Sequence, residues 1–425
     1  MSHSLAQALP ADQRLPFDDR KTLMTTSSIS APARHTTSTE ATFCSPIVES
    51  RRWLEGVDFP SNRPLINVSQ AAPTEMPPEG LRQAMAEAAL TQVDAHLYGA
   101  VLGRDDLRNA LAGQISAHYG GAVGAANVGI TSGCNQAFAA SIAALCSYGD
   151  EVIIPVPWYF NHKMWLDMSG VTAVPLQVGT DMVPDPKAAA ALISPRTRAI
   201  VLVTPNNPCG VEYPAGVVRA FFDLAREKGL TLIVDETYRD FDSREGAPHD
   251  LFMDPSWDET LIHLYSFSKA YRLTGHRVGA IAAGAARLFE IEKFLDTLTI
   301  CPAQLGQIGA IWGLQNLQDW LAGERREILD RKAAIEEGFP QLAEKGWSLL
   351  GCGAYFAYVE HPFSQASEDL AKRLVTEASI LMLPGSMFMP SGDPAGARQF
   401  RIAFANVDRA GIKTLFERLA DFNPG

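Results

Sequence analysis

Residues 261–284 read LIHLYSFSKAYRLTGHRVGAIAAG, and the order of residue types along this stretch decides the fold. Leu261–Ser266 form a short apolar run of strand type. At its carboxyl end stand Ser266, Ser268 and Lys269, with Arg277 eight residues beyond the lysine. The stretch then returns to a strand pattern in RVGAIAAG. An ammonium is costly to bury unless it is paired or used chemically. A lysine among small hydroxyls at the end of a core strand therefore marks a position where the chain holds something.

Upstream the same rhythm repeats. NVGIT (127–131), EVIIPVPWY (151–159), TAVPLQV (172–178), RAIVLVTP (198–205) and LTLIVDE (230–236) are short runs rich in Val, Ile and Leu. Continuous rather than alternating apolar runs suit strands covered on both faces. Helical stretches such as AGVVRAFFDLAREKG (215–229) separate several of them. This predicts an α/β fold whose large domain is a mostly parallel sheet covered by helices on both faces. Near residue 320 the rhythm changes to a long charged helical stretch (319–346), then YFAYVE, a helix, ILMLPG, FRIAFA and a closing helix. That predicts a smaller α+β domain. The expected division is a flexible Ser/Thr/Pro-rich extension over 1–45, an N-terminal arm over 46–80 packing on the small domain, a large domain over 81–319 and a small domain over 320–425.

A chain of 425 residues with 47% hydrophobic and 20% charged residues is long enough for two cores. Its net charge of −12 argues against nucleic acid or an anionic membrane surface as the main partner, and no apolar run is long enough for a membrane span. The six cysteines show no paired spacing and read as free thiols in a reducing, cytoplasmic compartment. No metal site is expected.

In open α/β sheets, ligands bind beyond the carboxyl ends of the strands. ITSGCNQAF (130–138) runs from strand through a Gly turn into a helix, which suits a phosphate, although a Gly turn also serves as plain connection. TPNNPCG (204–210) holds Asn207 in a Pro-framed turn. IVDETY (233–238) ends a strand on Asp235, either a buried acid needing a cationic partner or a helix N-cap.

Taken in order, a Gly turn, an Asn turn, a strand-end Asp and Ser-x-Ser-Lys followed by Arg resemble the class I/II aminotransferases, pyridoxal-phosphate enzymes of the aspartate aminotransferase fold (fold type I). The resemblance spans roughly residues 45–420. It implies that Lys269 carries pyridoxal 5'-phosphate as an imine and then serves as the proton-shuttling base. It implies that Asp235 pairs with the pyridine nitrogen, and that Asn207 and Tyr238 bond the ring hydroxyl. Gly133, Cys134, Asn135, Ser266, Ser268 and Arg277 would hold the phosphate. In PVPWYFNH (155–162) the ring-stacking aromatic is assigned to Tyr159, with Trp158 as the other possibility. FRIAFAN (400–406) matches the strand whose arginine, here Arg401, grips the substrate α-carboxylate. Tyr98, in HLYGAVLGRDDLRNALA, corresponds to a tyrosine that reaches the phosphate of a second subunit, so a homodimer with shared sites is implied.

The departures concern substrate. The family's arm stretch usually carries a glycine where VSQAAP has Ala71, so a methyl narrows the space beside the substrate or the backbone is re-aimed. His162 replaces a common tyrosine and is either a substrate contact or a polar loop residue. The implied reaction moves an amino group from an L-amino acid to a 2-oxo acid. The alternative is a lyase on the same fold, a carbon–sulfur β-lyase or a cyclopropane-forming synthase. A DNA-binding regulator is disfavoured, because the leader is short and the chain acidic.

Overall fold

A computed structural model describes residues 36–425. The extension expected over 1–45 therefore lies largely outside the described residues. Its last part enters a short helix, Ser38–Ala41.

Thirteen strands are described, β1 (Ile66–Asn67), β2 (Val128–Thr131), β3 (Glu151–Val156), β4 (Thr172–Gln177), β5 (Thr197–Val203), β6 (Thr231–Asp235), β7 (Leu261–Ser266), β8 (Gly279–Ala282), β9 (Ser348–Gly353), β10 (Phe356–Glu360), β11 (Ile380–Leu381), β12 (Leu383–Pro384) and β13 (Gln399–Ala403). Seven form one sheet in the order β2-β8-β7-β6-β5-β3-β4. Four of its six pairings are parallel, β3 with β4 and β5, β5 with β6, and β6 with β7. β8 alone runs antiparallel to both neighbours, β7 and β2. The mostly parallel sheet is thus as predicted, and β8 is its one reversed strand.

Composition explains the central strands. Every residue of β6 and β7 is buried, because apolar layers cover both faces. Leu232, Val234, Leu261 and Tyr265 point into one layer, and Ile233, Ile262 and Leu264 into the other. β4 lies at the sheet edge, where Pro175 costs no ladder bond.

A second sheet runs β12-β13-β10-β9, antiparallel throughout. Its core gathers Phe356, Val359, Phe400 and Ile402 with Ile335 and Phe416 from the helices Gln318–Gly338 and Arg409–Asp421. β1 pairs in parallel with β11 through Ile66↔Ile380 and Asn67↔Leu381. That pairing brings Val68 and Ala71 into the same core. Two strands escape a sequence reading. β1 has only two residues, and β9, SLLGCG, is broken by glycines that weaken any strand pattern.

Candidate active site

The sheet register assembles the site. Val203 of β5 stands opposite Asp235 of β6, which stands opposite Leu264 of β7. Ser266 of β7 and Thr131 of β2 both face Gly279 of β8. The carboxyl ends of β2, β3, β5, β6 and β7 therefore open on one cavity of about 400 Å³, lined by Cys134, Asn135, Tyr159, Asn207, Asp235, Tyr238, Ser266, Ser268, Lys269 and Arg277. Ala71 and Arg401 complete the wall from the side of the second sheet.

Lys269 sits on a one-turn helix, Phe267–Ala270, begun by Ser266, whose hydroxyl accepts from the Ser268 amide. Its Nζ donates to the Ala71 carbonyl at 2.6 Å. Burial, with the positive charges of Arg277 and Arg401, pulls its pKa down to about 8. Ala71 thus acts through its backbone, and it is absent from the positive-φ positions of the described residues. The arm needs no glycine there.

Asp235 is 3% exposed. Its Oδ1 accepts from the Thr237 amide at 3.0 Å and the Thr237 hydroxyl at 2.7 Å. Its Oδ2 lies 3.2 Å from His162 Nε2. Burial alone pushes this carboxyl up, but the His162 bond and charge together with Thr237 outweigh it and hold the group below its ordinary value. This corrects both readings of His162. It is neither a substrate contact nor a loop residue. It lies buried in the helix Phe160–Ser169, stacked on Phe138 at 3.8 Å, as the partner of Asp235. Thr237 is a further site residue that the sequence reading misses; a short hydroxyl two residues past a strand-end Asp is its only signal.

The helix Cys134–Leu145 starts at Gly133, whose φ is +88°. A Cβ on Gly133 would stand 2.1 Å from Arg277 Nη2, and one on Gly279 would stand 2.6 Å from the Cys134 nitrogen. Both positions need glycine, because arginine and helix start close on each other there. The first amides of this helix lack intrahelical acceptors. With Ser266, Ser268 and Arg277 they form a cradle suited to a phosphate. Arg277 Nη1 is bonded to the Thr274 carbonyl at 3.1 Å, which fixes the guanidinium from behind. Burial, and then Asp235, pushes the Cys134 thiol well up.

Tyr159 lines the cavity, its hydroxyl accepting from Asn161 at 2.9 Å, whereas Trp158 belongs to the sheet core. That separates the two aromatics left open by the sequence. Of the two asparagines in TPNNPCG, Asn206 is tied to its own turn through Tyr213 and Cys209. Asn207 faces the cavity and accepts from Arg401 Nη1 at 2.9 Å. Tyr238 is buried with its ring 6.0 Å from Lys269 Nζ.

Arg401, on β13, is 2% exposed. Its Nη2 donates to the Ser69 carbonyl, and its Nε is a buried donor without a partner among the described residues. Burial pulls this guanidinium down to about 10. A buried cation facing Phe356 and Phe388, with one donor unmet, is poised for an anion. Tyr98 stands apart. It is 80% exposed and lines a different depression with Cys301 and Pro302. No helix among the described residues is long and apolar enough to cross a membrane. The same residues hold no group of three metal-ligating side chains.

The fold and this arrangement define a class that comparison makes explicit. Residues 63–419 match the family model of aminotransferase class I and II, and the chain belongs to that family. Among curated proteins it is similar to a probable aspartate/prephenate aminotransferase of Thermus aquaticus. The two are 27% identical over 383 residues, covering 88% of this chain and 93% of that one. It is also similar to the aromatic aminotransferase ISS1 of Arabidopsis thaliana, 26% identical over 68% of this chain and 73% of the relative. Among solved structures, the aspartate aminotransferase of Thermus thermophilus, in a single-mutant form, superposes with a TM-score of 0.80 at 24% identity. That match covers 92% of this chain and 99% of the other, and it establishes the shared fold.

Proposed function

We propose that the protein transfers an amino group from an L-amino acid to a 2-oxo acid, with pyridoxal 5'-phosphate carried on Lys269. One observation supports this above the others. A buried acid kept ionised by His162 and an amine whose pKa is lowered to about 8 line the same cavity. The residues present fit that cofactor, since the glycine-lined cradle at Gly133 and Arg277 suits its phosphate and Asp235 suits a protonated ring nitrogen.

When bound, pyridoxal phosphate supplies an aldehyde carbon that accepts the amine and a ring that takes up electrons from the substrate α-carbon. Asp235 keeps a positive charge on the ring nitrogen favourable. Asn207 and Tyr238 orient the ring hydroxyl, and Tyr159 covers the ring face. Lys269, once displaced, is the base that takes the proton from the substrate α-carbon, because its neutral form is accessible near neutral pH. Arg401 binds the α-carboxylate, satisfying the donor now unmet.

The assembly implied is a cytoplasmic homodimer in which Tyr98 of one copy reaches the phosphate held by the other. Within each copy, residues 81–319 would carry the cofactor, while 46–80 and 320–425 would supply the arm and the Arg401 wall. The aminotransferase names of the relatives favour transfer over the lyase. The deciding experiment mixes the cofactor-loaded protein with an L-amino acid and no acceptor. Transfer yields one 2-oxo acid per cofactor and an aminated cofactor. Ammonia and pyruvate released continuously from a β-substituted amino acid would establish the lyase instead.

A further inference from the structure

The cavity wall carries four cations, Arg51, Lys269, Arg277 and Arg401, against one carboxylate, Asp235. Under the transamination reading, on which the role of the remaining cation rests, three of the four are occupied by cofactor and α-carboxylate. Arg51 is the one left. It lies on the helix Pro46–Arg52, which also presents Ile47 and Val48 to the cavity. Its Nη2 donates to Gln70 Oε1 at 2.9 Å, a neutral partner that itself lines the cavity. Among the described residues no carboxylate pairs with it. The one acid of its own helix, Glu49, is engaged instead by Arg52 at 3.0 Å and by the Trp53 ring nitrogen at 3.3 Å.

A guanidinium at a cavity mouth with its charge uncompensated selects for an anion on whatever enters. We infer that Arg51 is a specificity residue that binds a second carboxylate, so the preferred substrates are amino acids with an acidic side chain and the matching dicarboxylic oxo acids. Gln70 holds the guanidinium toward the cavity and can exchange its bond for the substrate oxygen. Ile47, Val48 and Phe160 supply apolar wall for the substrate's methylene groups. Arg401 then takes the α-carboxylate and Arg51 the second one.

The test uses cofactor-loaded protein, wild type and R51Q. Calorimetric titration with succinate and glutarate, which carry no amine to react, is compared with butyrate. The dicarboxylates should bind roughly tenfold more tightly than butyrate, and R51Q should remove most of that difference. In parallel, the ratio of kcat/KM for aspartate over asparagine, and for glutamate over glutamine, should fall roughly tenfold in R51Q and be kept only in part in R51K, whose ammonium retains the charge without the paired N–H bonds. Equal loss on acidic and amide substrates, or no dicarboxylate preference in the wild type, overturns the assignment. If no amino acid of either kind aminates the cofactor, the transamination reading fails. The calorimetric preference, present or absent, still decides whether Arg51 reads a second carboxylate.

Discussion

His162 Nε2 lies 3.2 Å from Asp235 Oδ2, with both side chains almost fully buried where β6 ends. The histidine is held by stacking on Phe138 and edge-on by Tyr159 at 5.0 Å, so its ring has little freedom to turn from the carboxylate. Removing it leaves Asp235 with Thr237 and the weak donor Cys134 Sγ, 3.6 Å from Oδ1, against a desolvation that favours the protonated acid. The His162→Phe variant keeps the stack and loses the bond. The acid limb of its kcat/KM profile should move to higher pH, because the carboxyl then takes up a proton at higher pH than in the wild type. An acid limb that stays in place would show that His162 has no hold on Asp235.

The acid itself is tested by Asp235→Asn. An amide of nearly the same shape keeps the packing and removes the charge. Turnover should fall by two or more powers of ten, on the order of 3 kcal/mol, while cofactor still binds. A near-normal kcat would rule out the proposed pairing with the ring nitrogen.

Much of this site is legible in the chain alone, and the reason is local. Asp235 ends a strand, and Lys269, Asn207 and Gly133 each stand within four residues of one, so the end of the sheet places them whatever the distant packing. The role of His162 escapes such a reading because it depends on a contact across 73 residues of chain, between the helix after β3 and the end of β6. No spacing rule carries that. Arg51 is hidden for the same reason: the arm is fastened beside the cavity by the two-residue β1–β11 pairing and by the Lys269–Ala71 and Arg401–Ser69 bonds, all long-range and silent in the sequence pattern. The reversal of β8 is likewise unreadable, since a buried strand has the same composition in either direction.

Gly133 separates close approach from chance. An alanine there meets Arg277 Nη2 at 2.1 Å and must adopt φ near +88°. The strain should cost at least about 1 kcal/mol, and the arginine must withdraw from the cradle. Gly133→Ala should therefore weaken cofactor binding, measured as Kd from absorbance titration, more than it lowers the Tm of the cofactor-free protein. Unchanged cofactor affinity would place the phosphate elsewhere.

Arg401 should act on both substrates alike, since amino acid and oxo acid present the same α-carboxylate. Arg401→Ala should raise KM for each by an amount on the order of 2–4 kcal/mol, leaving the ratio between acidic and amide substrates unaltered. Arg401→Lys should recover only part of the loss, because an ammonium cannot give two parallel N–H bonds. An effect confined to one substrate would contradict the assignment.

Lys269 offers a test independent of turnover. In the cofactor-free protein its folded-state pKa is about 8, against an ordinary 10.5, chiefly through burial and then through Arg277 and Arg401. Below about pH 8 the amine is charged in both folded and unfolded chains, and the full cost of burying the ammonium falls on the native state. Between about 8 and 10.5 the unfolded chain binds the extra proton, so stability rises with pH and the cost disappears. Lys269→Met carries no such charge. Its Tm should exceed that of the wild type at neutral pH, with the gap narrowing as pH rises through this window. A gap that stays constant from neutral pH to 10.5 would mean that the lysine is not desolvated, and its neutral, proton-accepting form would then have no physical basis.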